Sequence, residues 1–323
     1  MPPEGSAGGF SRTWFPICTS ADVGAGEVIG RDFLDGKVCV FRGASGVAAV
    51  VSAYCPHLGA DLSLGCVVDD GLRCAFHHFR FDAAGTCVAT GSGAPVPRDA
   101  IVFAFPTVEK HGMIWAFNGD EPAWTLPELA PAEEALVVRR YPVFTLRCDP
   151  WTVISNTTDY QHFRFVHGFE LDFAATAESY EWRDNGVGVD LRARLPAHQG
   201  SHRVHYRIDH YGTNTSFIKG RIGEWNAYLL IAFGIPRVGE SEIFTMLAAP
   251  LAGGDGDEAL AAAEVALDQF EAAFGIMGGE DNPLLETAHF MPGALTATDR
   301  QLIRFLHYVR NYPRAHPSAD FIV

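Results

Sequence analysis

The 323-residue sequence has no hydrophobic run long enough to cross a membrane. Its longest, residues 228–235, is far short of the ~20 apolar residues that a spanning helix needs. Residues 1–11 are rich in glycine, proline and serine but contain neither a basic segment nor an apolar core. A disordered lead-in is expected there, not a secretory leader. Positive charge is scarce: 24 Lys and Arg against 39 Asp and Glu leave a net charge of −15. That excess of acid speaks against nucleic acid and anionic membrane surfaces as partners and suits a soluble protein. A nucleotide fingerprint is also missing. Gly24, Gly26 and Gly30 resemble one, but the third glycine comes one residue late and no strand precedes the first. No NAD or flavin site is therefore expected on this chain. The seven cysteines do not form a disulfide framework, and Cys18, Cys39, Cys66, Cys87 and Cys148 share no motif spacing. They are expected to be buried thiols in a reducing, cytoplasmic setting.

What is present is core material and ligands. Hydrophobic residues make up 48% of the chain and charged ones 20%, enough for one large domain or two of ordinary size. Cys55-Pro56-His57 and Cys74-Ala75-Phe76-His77 are two short Cys/His pairs. Neither pair has a helix or strand period, so each is expected at a loop tip with its side chains converging. Two such tips make a four-ligand cage. Mixed ligation of this kind fits either a structural zinc ion or a [2Fe–2S] cluster with two Cys on one iron and two His on the other. Zinc modules tend to pair Cys with Cys and His with His, whereas each tip here carries one of each. That favours the cluster.

With the flanks, residues 58–63 after the first tip and His78-Phe79-Arg80-Phe81-Asp82 after the second, the region resembles the cluster domain of Rieske non-heme iron oxygenases. The resemblance implies a [2Fe–2S] cluster on Cys55, His57, Cys74 and His77. Where respiratory Rieske proteins carry a disulfide, this chain has Ala60 and Phe76. His78 replaces the family's usual Gly and Phe79 its usual Trp. His78 is read as a surface residue beside the cluster. Fewer hydrogen-bond donors around the cluster imply a potential toward the low end of the Rieske range.

Short apolar runs at 37–42 and 47–54, split by Gly43-Ala44-Ser45-Gly46, read as a hairpin. Residues 101–108 and 113–117 read as a second, around His111-Gly112. An all-β domain over 12–119 follows. Residues 120–135 are rich in Pro and acid and are expected to be a linker. A second domain is expected over 136–323, opening with a strand at 136–148. Further strands are expected at 179–195, 202–210, 217–223, 225–236 and 242–250. Helices are expected at 259–274, with Leu260, Ala263, Leu267, Phe270 and Phe274 on one stripe, and at 298–310. Residues 226–233 alternate, so one of their two faces could line a pocket. His198, His202, His205 and His210 are read as surface or strand polar positions, not as a further metal site.

Asn156-Thr157-Thr158-Asp159-Tyr160-Gln161-His162, followed by His167, carries a second constellation. His162 and His167 are five residues apart, about 140° around an ideal helix. They meet at one metal only if the helix is locally widened or ends before His167, near Gly168. Two imidazoles and a carboxylate form the facial triad of non-heme Fe(II) oxygenases, and N-x-x-D-x-x-H-x-x-x-x-H resembles the catalytic iron motif of that family. The resemblance implies His162 and His167 as ligands and Asp159, with Asn156, as catalytic residues. Asp159 would orient a ligand histidine and link the two metal centres. It also implies a distant third ligand within E-D-x-x-x-L/V-E, which Glu280-Asp281-Asn282-Pro283-Leu284-Leu285-Glu286 matches at Asp281. Asp281 would otherwise cap a helix opened by Pro283, and Glu280, Glu286 and Asp299 are the alternative ligands.

The expected fold class is α+β: an N-terminal all-β Rieske domain, then a helix-grip (START/Bet v 1-like) domain whose curved antiparallel sheet holds a long helix. The family's chemistry is O2-dependent oxidation of a small, largely apolar molecule. Its electrons come from NAD(P)H through a separate flavin reductase or ferredoxin, and its assembly is a homotrimer with one subunit's cluster beside the next subunit's iron. Modest length and the Asn156-to-Asp159 gap resemble the monooxygenase and demethylase branch. Ring dihydroxylation, a Rieske electron carrier with an inert second domain, and a zinc-stabilised binding module are the alternatives.

Overall fold

The computed structural model describes residues 3–132, 134–251, 256–291 and 293–323. They form two compact units. One comprises Pro3–Leu126 together with Gly234–Val238 and Pro313–Val323; the other comprises Pro127–Phe233 and Gly239–Tyr312. The chain thus returns to the first unit twice, which a division into 12–119 and 136–323 does not anticipate. Apolar burial explains the return. Ile235 and Ile322 enter the same core as Phe15, Phe33 and Val38, and each such side chain stabilises by about 1.5–3 kcal/mol when fully buried.

The first unit is built from short antiparallel strands. A four-stranded sheet has the order Ala104–Phe105, Ala48–Ser52, Gly36–Arg42, Val28–Phe33. The expected hairpin at 37–54 is its centre, with Gly46 at φ +83° making the turn. A three-stranded sheet holds the second hairpin, where His111 and Gly112 both adopt positive φ. Residues 1–11 were expected to be disordered, but from Pro3 on they are structured. The Glu4 carboxylate accepts hydrogen bonds from Ser11 N–H (2.8 Å) and Ser11 Oγ (2.6 Å), and Phe10–Ser11 pairs with Arg314–Ala315. The supposed linker also contributes to this unit, since Trp124 and Leu126 are buried. A third sheet, Cys66–Val68, Gly71–Arg73, Arg80–Phe81 and Cys87–Ala89, supports the Cys/His tips.

The second unit is a nine-stranded antiparallel sheet around a helix. Along its main path the order is Leu136–Arg140, Ser241–Pro250, Trp225–Gly234, Thr215–Ile222, Arg203–Tyr211, Gly186–Arg194, Glu170–Leu171. The single strand expected at 136–148 is two, Leu136–Arg140 and Phe144–Leu146, interrupted around Pro142 and paired with the same neighbour. Alternation puts Val204, Tyr206 and Ile208 on the buried face, where they meet Ala263, Leu267, Phe270 and Met277 of the helix Asp257–Thr287. Leu260, assigned to that stripe from sequence, is exposed in the first turn. A second cluster packs Trp151 and Ile154 against Phe305, Leu306 and Val309 of the helix Arg300–Asn311. It anchors the short helix that delivers Asn156.

Candidate metal centres

In the first unit, backbone hydrogen bonds shape both tips. Cys55 N–H donates to the Ala60 carbonyl (2.9 Å), Gly59 N–H to the Cys55 carbonyl (2.8 Å), and Cys74 N–H to the Phe79 carbonyl (2.9 Å). His78 takes φ +55°. This left-handed conformation is easiest for glycine, yet a histidine holds it here. Its side chain is exposed, as expected. Gly91 is required by a close approach, because a Cβ there would lie 2.4 Å from the His77 carbonyl oxygen.

The tips sort their ligands by type. Cys55 and Cys74 are buried, while His57 and His77 are exposed with ring centroids 4.6 Å apart. Phe79 stacks on His57 at 4.6 Å. A thiol pair inside and an imidazole pair outside fit a two-iron cluster, which needs its two ligand types on different irons. A single tetrahedral zinc needs all four donors at one point. Among the described residues, the group of three donors within 4.8 Å of one another is a different one, His162, His167 and Asp281. Burial pushes the Cys55 thiol up to about 11, so loading a metal there releases a proton. Of the other cysteines, Cys18, Cys39 and Cys87 are buried, but Cys66 is exposed, contrary to expectation. It lies on a short strand whose outer side faces solvent.

In the second unit, His162 lies on the helix Tyr160–Phe165. The helix ends before His167, and Gly168 at φ +66° turns the chain. The two imidazoles therefore meet, with centroids 4.9 Å apart. Asp281 comes from the long helix. Its Oδ1 is 3.3 Å from His167 Nε2 and its Oδ2 4.0 Å from His162 Nε2. The other ring nitrogens are held by protein. His162 Nδ1–H donates to the Asp159 carbonyl (2.8 Å) and His167 Nδ1–H to Glu280 Oε2 (2.7 Å). This directs the Nε2 of both rings toward the common point, where His167 Nε2 meets Asp281. Asn156 Nδ2 donates to Asp281 Oδ2 (3.1 Å). Burial lowers the pKa of His162. At His167 burial acts the same way, but hydrogen bonds to Asp281 and Glu280 outweigh it and raise the pKa. The donor set fits a 2-His-1-carboxylate iron.

Several expectations need correction. Pro283 does not open a helix; it lies inside Asp257–Thr287. Packing overrides the proline penalty, because Met277 and Leu285, four residues to either side of Asp281, are both buried. Glu280, Glu286 and Asp299 do not join the triad. Glu280 holds His167, Glu286 accepts from Arg147 N–H (3.3 Å), and Asp299 accepts from Thr296 N–H and Gln161 Nε2. The Asp159 side chain caps its helix, accepting from Gln161 N–H (3.0 Å) and His162 N–H (3.3 Å). Within this chain, its carbonyl and not its carboxylate orients His162.

The triad opens on a cavity of about 560 Å³ walled by Ile208, Ile218, Leu229, Ile231 and Phe233. Of the alternating residues 226–233, the face carrying Leu229, Ile231 and Phe233 is the lining one. His210 was read from sequence as a surface or strand position. It is buried and lines the cavity, bonded to Thr157 and Ser216. Its phase with Val204, Tyr206 and Ile208 was the available signal.

Residues 13–101 match the model of the Rieske [2Fe-2S] domain. Among curated relatives, "Cholesterol 7-desaturase nvd" of Bombyx mori is 33% identical over 166 residues, covering 50% of this chain and 36% of that protein. "Putative toluene-4-sulfonate monooxygenase system iron-sulfur subunit TsaM2" of Comamonas testosteroni is 29% identical over 226 residues, covering 67% and 62%. The chain thus spans less than two thirds of the length of each. Among solved structures, the Pseudomonas putida CBB5 NdmA QL mutant with theobromine superposes with a TM-score of 0.69 at 18% identity, covering 93% of this chain and 89% of that one. At that identity the likeness shows the fold.

Proposed function

We propose that this chain, whose residues 13–101 match the Rieske [2Fe-2S] domain, is an oxygenase component. It hydroxylates or oxidatively demethylates a small, largely apolar molecule. The observation that carries this reading is the His162/His167/Asp281 group opening on an apolar cavity. A bare electron carrier has no use for three converging donors at a substrate-sized space.

Cys55, Cys74, His57 and His77 would hold the cluster, and His162, His167 and Asp281 the mononuclear iron. When bound, these groups supply single-electron transfer and the reduction of O2 that oxidation of a C–H bond requires. The chain's own residues prepare the site. Glu280 and the Asp159 carbonyl keep the ligand histidines in the Nε2-binding tautomer, Asn156 holds Asp281, and the aliphatic walls exclude water from the reacting carbon. No described helix is long and apolar enough to cross a membrane. Electrons would come from NAD(P)H through an external reductase or ferredoxin in the cytoplasm. The exposed His57 and His77 suit delivery to a neighbouring subunit of a homotrimer, with Asp159 as the bridge.

Metal and turnover analysis tests this. Three irons and two sulfides per chain are expected, together with substrate-dependent O2 uptake in the presence of a surrogate ferredoxin and reductase. Two irons and two sulfides, with no O2 uptake, would leave an electron carrier.

A further inference from the structure

The cavity wall is mostly apolar, with Tyr141, Tyr206, Thr245, Glu271 and Asn282 among its polar lining residues, and beside the triad it carries one built array of bonded side chains, Thr157, His210 and Ser216. His210 and Ser216 are directly paired across neighbouring strands, and both side chains face the cavity with Ile208 and Ile218. His210 Nε2 is 2.6 Å from Thr157 Oγ1, and His210 Nδ1 is 2.7 Å from Ser216 Oγ. Thr157 spends its hydroxyl proton on the Ile154 carbonyl (2.9 Å), so toward His210 it can only accept. His210 is therefore protonated at Nε2, its Nδ1 accepts, and Ser216 must donate to it. One proton per hydroxyl then leaves Ser216 Oγ with lone pairs and no hydrogen to offer a guest. The array is an acceptor.

Charge narrows the guest further. Among the described residues lining the cavity, none is Lys or Arg, whereas Glu271 and Asp281 are acidic. The nearby Arg139 is engaged by Glu264, Asp268 and Glu271. His210 supplies no positive charge, since burial pushes it down to about 3. No described side chain of the wall therefore offers an anion a cationic partner to replace its lost hydration.

We infer that Ser216, set by His210 and Thr157, is a specificity-determining residue. It selects an uncharged, largely apolar substrate bearing one hydrogen-bond donor, an O–H or N–H group. This deepens the oxygenase reading and rests on it for the word substrate, but it is tested by binding alone. The full chain, loaded with iron and kept free of O2, is titrated calorimetrically at pH 7 with 2-naphthol, 2-methylnaphthalene and 2-naphthoate. A phenol remains neutral at that pH. The expected order is 2-naphthol about tenfold tighter than 2-methylnaphthalene, from one hydrogen bond, with 2-naphthoate weakest. Ser216→Ala should bring 2-naphthol down to the level of 2-methylnaphthalene while leaving the latter unchanged, and Ser216→Thr should keep the preference. The inference is overturned if 2-naphthoate binds as tightly as 2-naphthol, if no naphthalene binds, or if Ser216→Ala weakens both neutral probes alike. Should the binding pattern hold in a protein that never consumes O2, the oxygenase reading fails and the recognition rule stands.

Discussion

Glu280 and His167 are 113 residues apart in sequence, yet Glu280 Oε2 lies 2.7 Å from His167 Nδ1. The adjacent Asp281 reaches the opposite nitrogen of the same ring. One turn of helix would thus supply both a metal ligand and the group that aims another. Glu280→Ala should weaken iron(II) retention about 10–100-fold, the usual cost of losing such a partner. Equilibrium dialysis with metal analysis reads it, and an unchanged affinity would mean that Glu280 does not orient the ring.

Asp281→Ala removes the only carboxylate of the triad. Iron content should fall from three to two per chain while sulfide stays at two, with the visible and EPR signatures of the cluster unaltered. Loss of cluster iron as well would show that the two sites are not independent.

Asp159→Asn should preserve the helix cap, since Asn caps as well as Asp, and both metals should remain. Turnover with the surrogate reductase should nonetheless collapse if the carboxylate bridges the two centres. Asp159→Ala should in addition lower stability by about 1 kcal/mol. Near wild-type turnover in the Asn variant would end the bridging role.

His210 makes folding stability pH-dependent. Burial holds its folded-state pKa near 3, against about 6.5 in an unfolded chain. Below pH 6.5 the unfolded chain binds a proton that the folded one does not, so this contribution to stability falls as pH falls. The slope approaches ~1.4 kcal/mol per pH unit. Urea unfolding between pH 7 and 4.5 should show a shallower decline for His210→Gln than for the wild type. Parallel profiles would contradict the buried neutral imidazole.

Gly278 faces the cavity within the long helix, and a Cβ there would meet nothing within 4 Å. Gly278→Ala should therefore stabilise the fold by about 0.5–1 kcal/mol through helix propensity, seen as a higher denaturation midpoint. A lower midpoint would mean that a side chain at this point of the helix is not accommodated as the open space around Gly278 implies.

Much of the site is legible locally. Cys55, His57, Cys74 and His77 stand out because they come as two short, loop-borne Cys/His pairs. His162 and His167 do so because their spacing cannot be met by an unbroken helix. Asp281 was reachable only through its resemblance to a family pattern. Glu280, Thr157 and Ser216 carry no motif, since their roles depend on which side chain lies opposite.

The sequence by itself determined the ligand types, the strand and helix periods and the division into a β-rich first part and a mixed second. All of these follow from short-range chemistry: donor identity, alternation and turn residues. Tertiary structure alone decided that Pro283 stays inside a helix, that the C-terminus returns to the first unit, and that His210 faces a cavity. Each of these is set by apolar burial between segments far apart in the chain, where the free energy of packing exceeds the local preference of any one residue.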